Sequence, residues 1–405
     1  MASFSIKDRL SGISRDLILF IPAIAAIGFS DSIFNAVFNN FLNESFEMNS
    51  FYRTFLELPR EMAGFLVVFV SAILFFLCSR RLAFASILIG GVGLVLMALF
   101  SFNLHIMFIW LFLFSLGQHI FMPLYSSIGM ELAHEGKTGK RLGQLNAIRN
   151  FVMVLGSFFV FLGFKYFHMN FMIAFLIAAF FYFLASIFLF SMEKVKTQPA
   201  ATHLKLRKEY RLFYWLVILW GTRKQIFLTF APWVLVTVFN QPTVMIATLL
   251  TIAGISGIIF QPLLGKAIDS LGEKAVLASE AFLLIFVCIG YGYARSFFTE
   301  NVAFIIASVC FIADQLLMSV NMARSTYLKK IAIDPSHVTP TLTLAVSLDH
   351  VFSISIALLG GLLWTTFGYK IVFLCGAGIA VLNFCSALLI KVPVKANPVI
   401  NSIKV

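Results

Sequence analysis

MEKVKTQPAATHLKLRKEYR, residues 192–211, is the long polar stretch in a chain of 405 residues. It combines charge, a proline and few apolar side chains, which is the composition of a linker and not of a core element. The sequence on either side of it is dominated by apolar runs. Hydrophobic residues make up 60% of the chain and charged residues 12%, with a mean hydropathy of +0.95. A soluble domain carries about 45–50% apolar and about 25% charged residues. Too few charges are left to cover a water-facing surface. That excludes a soluble enzyme, a disordered protein and a secreted disulfide scaffold.

Working outward from the linker, six apolar runs precede it and six follow. The first six are expected at about 16–42, 51–78, 82–102, 106–133, 144–165 and 169–191, each near the roughly 20 residues a membrane-spanning helix needs. The second six are expected at about 212–238, 243–264, 275–294, 302–328, 339–366 and 370–391. In lipid only helices and closed barrels satisfy their own backbone, and these runs far exceed the roughly 10-residue strands of a barrel. The expectation is an all-α membrane protein of twelve transmembrane helices. Residues 1–191 form one half, 192–211 a linker and 212–405 the other half with a short tail. The apolar run after MASFSIKDRLSGISRD is too long for a signal-peptide core and is expected to stay as the first helix. Cys78, Cys288, Cys310, Cys375 and Cys385 sit in or at the ends of apolar runs, as small apolar fillers and not as a disulfide framework.

Thirty Lys and Arg against eighteen Asp and Glu give a formal charge of +12. In a soluble protein that excess would suggest nucleic acid. Here the bases sort by side. The N-terminal segment, the even-to-odd loops, the linker and the tail together hold twenty-one, from Lys7 to Lys404. The other loops hold three, Lys165, Arg295 and Lys370. The positive-inside rule places the first group, and with it both termini, in the cytoplasm of a plasma or inner membrane. The remaining six bases fall inside the spans.

The two halves also echo each other. GFSDSIF at 28–34 aligns with GTRKQIF at 221–227, and IRNFVMVLG from Ile148 aligns loosely with LDHVFSISI from Leu348. Parallel six-helix repeats are a transporter plan, with the solute site between them near mid-membrane. The loop after helix 8 reads Gly265-Lys-Ala-Ile-Asp269-Ser-Leu-Gly272-Glu-Lys274. Its glycines permit a tight turn between packed helices, and its Asp can pair with a base or a helix N-terminus across the seam.

With twelve spans, a six-and-six division and this loop, the chain resembles the major facilitator superfamily, whose cytoplasmic gate motif is G-x-x-x-D-x-x-G-x-[RK]. The segment from Pro123 through Glu131-Leu132 to Gly143 and Asn146 is similar to the family's helix 4–5 region. The resemblance implies a gate at Gly265, Asp269, Gly272 and Lys274, and a cavity lined by helices 1, 4, 7 and 10. The loop after helix 2, Cys78-Ser-Arg-Arg81, has neither glycine nor acid, so only one half keeps the motif. Helix 5 lacks the Gly-Pro run, and helix 4 the intramembrane Arg, of the drug/proton antiporters.

Ionisable residues inside a span cost several kcal/mol or more and point to function by default. Five acids qualify, Asp31, Glu57, Glu61, Asp314 and Asp349, beside six bases, Arg53, Arg60, Arg149, Arg223, Lys224 and Arg324. Asp31, Asn35 and Asn39 share one face of helix 1, expected toward the cavity or a neighbouring helix. Arg53, Glu57, Arg60 and Glu61 form a ladder that reads either as a latch or as a proton carrier. In the repeat alignment Lys224 falls opposite Asp31, and Arg149 opposite Asp349. Such charges could form bridges that exchange as the halves rock, or bind an anionic solute. Arg223 and Lys224 are adjacent and point about 100° apart, so one partner does not serve both. His119 and His350 suit a proton relay or an inter-helix hydrogen bond. Asp314 and Asn321, two turns apart, are expected on the cavity wall.

No metal-ligand spacing, phosphate-cradling loop or reaction cluster stands out, so neither cofactor nor enzymatic activity is expected. The expected function is secondary active transport of a small charged or zwitterionic organic solute, coupled to protons, by a protein that works as a monomer in the lipid bilayer without nucleic acid. A lipid or lysolipid flippase and a drug or metabolite exporter on the same scaffold are the alternatives.

Overall fold

A computed structural model describes residues 14–46, 57–194, 205–241 and 243–392. The linker's centre and Arg53 lie outside these residues, as does the side chain of Glu57. The helices are α1 Arg15–Ser45, α2 Glu57–Ile73, α3 Ser79–Phe100, α4 Leu104–Glu131, α5 Thr138–Tyr166 and α6 Phe171–Phe190. After the linker comes α7, Arg211–Thr237. The helical stretch Thr243–Phe297 breaks at Gly272, where φ is 84°, into α8 (243–271) and α9 (273–297). Then follow α10 Glu300–Ile331, α11 Val338–Phe367 and α12 Tyr369–Leu388. No strand occurs among the described residues. The molecule is a multi-pass, twelve-helix membrane bundle.

Local chemistry sets the helix ends. Ser14, Asn103 and Asn170 each turn a side-chain oxygen onto a first-turn N–H, at 3.3, 3.0 and 2.9 Å, contributing about 1 kcal/mol apiece. Two boundaries differ most from expectation. Helix α5 begins at Thr138, not near 144, because a carboxylate from α8 takes up its first N–H groups (below). The turn between α8 and α9 is a single residue, since only glycine adopts that positive φ without strain. Large apolar side chains such as Phe65, Phe69, Phe76, Phe158, Phe161, Phe180 and Phe190 stand exposed around the bundle. On a soluble protein they would form an aggregating patch; here they meet lipid.

The basic face is the end of the bundle that bears Arg15, the α4–α5 loop and the α10–α11 loop. One apolar core runs through α1 to α6, from Phe20 to Met192. A second, from Ile226 to Ala377, fills the opposite end of α7 to α12. A third lies at the basic face and joins Met130 and Leu142 to Phe213, Leu264, Leu328 and Leu342. The main packing across the seam pairs α5 with α8 and α2 with α11. A side chain at Gly139 or Gly265 would run into the facing backbone, so small residues set this approach.

Candidate functional site

A cavity of about 520 Å³ lies at the centre of the seam. Its polar wall is supplied by Asp31, Arg60, Gln118, His119, Tyr125, Asn146, Arg149, Gln261, Asn321, Arg324 and Asp349, and Trp220 and Met318 add apolar surface. The wall thus draws on α1, α2, α4 and α5 from one side and on α7, α8, α10 and α11 from the other.

Within the first half, Asp31 accepts from three donors: Arg149 Nη2 at 2.7 Å, Gln118 Nε2 at 2.8 Å and Tyr182 OH at 2.6 Å. Its side chain is 4% exposed, whereas that of Arg149 is 43% exposed. The carboxylate is therefore spent on fixing the guanidinium, and the guanidinium is what faces the cavity. Tyr125 OH donates to Asn146 Oδ1 at 2.6 Å one turn away on the same wall. Within the second half, Lys224 bonds Asp349 at 2.5 Å. Each pair sits over a glycine. A methyl at Gly28 would lie 3.0 Å from Arg149 Cγ, and one at Gly221 would run into the Asp349 carboxylate.

The repeat alignment thus matches two ion pairs of reversed sign, Asp31 with Arg149 and Lys224 with Asp349. Both bridge the first and fifth helix of their own half. The charges that the alignment places opposite each other are not in contact in this state.

Arg223 and Asp314 turn elsewhere. They bond each other inside a buried tetrad with Glu280 and Arg324. Arg223 is 3.6 Å from Glu280, and Arg324 is 2.8 Å from it. Asp314 is fully buried and does not line the cavity. That corrects the expectation of an Asp314–Asn321 stripe: a 3₁₀ turn at Met318–Val320 shifts the helical phase, so Asn321 reaches the cavity and Asp314 does not. Asn35 and Asn39 are exposed beyond Asp31 and do not line the cavity either. Glu280 escaped the sequence reading, although an acid in ASEAFLLIF, inside the ninth expected span, was signal enough.

Across the seam, His350 Nδ1 meets Glu61 Oε2 at 2.7 Å. The ring of His119 stands edge-on to that of His350, with centroids 4.6 Å apart. His119 Nδ1 donates to the Ser115 carbonyl at 2.7 Å. Glu61, His119 and His350 therefore form one cluster from α2, α4 and α11. Arg60, on the cavity wall beside it, makes its own polar contacts.

Toward the basic face the cavity is closed. Ser127 and Thr339 hydroxyls meet at 2.6 Å, and Lys329 bonds the Met130 carbonyl. Asp269 accepts from the Gly139 and Lys140 N–H groups, both at 2.7 Å, across the N-terminus of α5. Gly265 packs beside it and Gly272 makes the turn. Lys274 is exposed, and the ion pair at this loop is Glu273 with Lys330 at 2.8 Å. On the first half, Arg80 bonds Asp16 at 3.0 Å and Glu131 at 2.7 Å.

The family model for the Major Facilitator Superfamily matches residues 20–333. No curated protein matches the chain in sequence. Among solved structures, the fucose:proton symporter FucP of E. coli is similar at a TM-score of 0.72 and 12% identity, over 91% of this chain and 97% of that one. The human organic anion transporter MFSD10 is similar at 0.67 and 11%, over 91% and 98%. A bacterial homologue of the iron transporter ferroportin, in an outward-facing state, is similar at 0.69 and 14%, over 93% and 99%.

Proposed function

This chain belongs to the Major Facilitator Superfamily, a family of transporters and not of enzymes, and from that premise we propose that it is a secondary transporter of a small organic anion or zwitterion. The observation that carries the reading is Arg149, a guanidinium held by a buried carboxylate and half exposed to a central cavity that is closed toward the basic face. A planar guanidinium with donors to spare binds carboxylate-type groups. The organic anion transporter among the structural neighbours is in keeping with this choice.

Transport proceeds by rocking of 1–191 against 212–405. In the present state the basic face is shut. On the positive-inside argument that face is cytoplasmic in a plasma or inner membrane, and Gly265, Asp269 and Gly272 form its gate. Asp31–Arg149 and Lys224–Asp349 are the charges that could exchange partners as the halves move. The proposed driving force is a proton gradient, as the fucose:proton symporter's name suggests for a neighbour of the same fold. The proton site is Glu61 with His350 and His119, because the Glu61–His350 contact bridges the two halves. A proton on Glu61 changes the hydrogen bond it makes with His350 and loosens the seam. The protein acts as a monomer, without a cofactor.

Uptake of labelled organic acids into proteoliposomes, with and without a pH step, tests the proposal. Accumulation that follows the pH step in the wild type, and exchange without accumulation in Glu61→Gln, are expected. Equal accumulation with the gradient collapsed would remove proton coupling. Failure to move any acid would remove the anion reading.

A further inference from the structure

Two side chains of the cavity wall carry buried N–H donors that the protein itself leaves unused. Arg324, on α10 just past the 3₁₀ turn, is 1% exposed. Its Nη2 donates to Glu280 at 2.8 Å, while its Nε and Nη1 have no hydrogen-bond partner. Trp220 of α7 lies against it, with the guanidinium carbon 5.7 Å from the indole centroid. The Nε1 of Trp220 is also buried and unpartnered. Both side chains line the cavity. Buried donors are nearly always satisfied in folded proteins, so three of them gathered at one wall call for an acceptor.

The acids on the cavity wall are already committed. Asp31 serves Arg149, and Asp349 serves Lys224. Glu280 and Asp314 pair with the two arginines of the tetrad and keep one oxygen each without a hydrogen-bond partner, Glu280 Oε1 and Asp314 Oδ2, but neither residue lines the cavity. Two bases and two acids leave that tetrad without net charge, so an incoming anion meets donors and no excess of negative charge. The other unpartnered polar atom on this wall is an acceptor, Gln261 Oε1.

We infer that Arg324 and Trp220 bind the acidic group of a carboxylate-type organic anion from the second half, facing Arg149 on the first. The inference rests on the reading of this cavity as the solute site. It gives the solute one contact on each rocking half, and it moves the anion contact of the second half away from Arg223 and Lys224, whose charges are taken.

The test uses the full chain in nanodiscs, titrated with benzoate and succinate and with their neutral amides, benzamide and succinamide. Two variants decide it. Trp220→Phe keeps the ring and removes only the N–H. Arg324→Gln with Glu280→Gln removes a base and an acid together, and its folding is checked by thermal unfolding. The expected result is that carboxylate binding weakens about 10-fold in Trp220→Phe and about 100-fold in the double variant, with amide binding unchanged. Unchanged carboxylate affinity in folded Trp220→Phe overturns the inference. So does an equal loss for acids and amides. If acids bind the wild type and Arg149→Gln abolishes this while the other variants leave it intact, this inference falls and the proposed function stands. If no acid binds the wild type, both fall.

Discussion

Asp31 illustrates how much of the site depends on single donors. Its three hydrogen bonds come from three helices, so deleting one loosens Arg149 without freeing it. Tyr182→Phe is expected to destabilise the protein by about 1 kcal/mol, read as a fall in melting temperature in detergent, and Arg149→Gln should abolish organic-acid uptake. The reversed pair in the other half invites a double-mutant cycle. Asp349→Asn leaves the Lys224 ammonium without its carboxylate, and Lys224→Met removes the need for one. The double variant should therefore be more stable than Asp349→Asn alone, by about 1–3 kcal/mol; a double variant as unstable as the sum of the singles would show that the pair is not coupled. At this scale the sequence was informative about which residues matter and poor about whom they touch. Spacing singled out Asp31, Arg149, Lys224 and Asp349, but whether they pair within or between halves depends on the tilt of helices, which no spacing encodes. Asp314 looked like a cavity residue because nothing in the chain announces Met318–Val320 as a 3₁₀ turn, and adjacency could not say which of Arg223 and Lys224 turns toward the buried acids.

Element by element, hydropathy marked the twelve helices because each must bury its backbone groups in lipid. Their ends were less legible where tertiary contacts extend a helix. Helix α5 gains its first turn from Asp269, a residue 130 positions away in sequence, and α8 runs into α9 through the one residue Gly272. The loop Gly265 to Lys274 stood out by its glycines and acid, and its Asp269 does reach across the seam. Two charge-assisted hydrogen bonds at a helix N-terminus contribute roughly 1.5–3 kcal/mol each, much of it lost in Asp269→Asn. That variant should populate the state with the basic face open. In a Ser127→Cys background, alkylation of the buried position should then speed up at least several-fold over the same background with Asp269 intact. An unchanged rate would mean that Asp269 caps α5 without holding the seam.

For the whole molecule the claim is that two six-helix halves close at the basic face and rock about one central cavity. The halves keep largely separate cores, and one further apolar cluster around Met130, Leu142 and Leu328 spans the seam at the basic face, which gives that motion a physical basis. The linker first marked the division, and the internal echo of GFSDSIF and GTRKQIF gave it a partner; neither could say which face is shut, because that depends on a balance of a few kcal/mol across the seam. Paired spin labels measure it. With the five cysteines replaced, one pair sits at Lys137→Cys and Leu271→Cys on the basic face, and the other at Phe102→Cys and Phe298→Cys on the opposite face. Distance distributions between each pair are recorded at high and low pH, with and without benzoate. Two populations are expected at each face, with the long distance at one face growing as the short distance grows at the other. A single unchanging distance on the basic face, or both faces widening together, would contradict it.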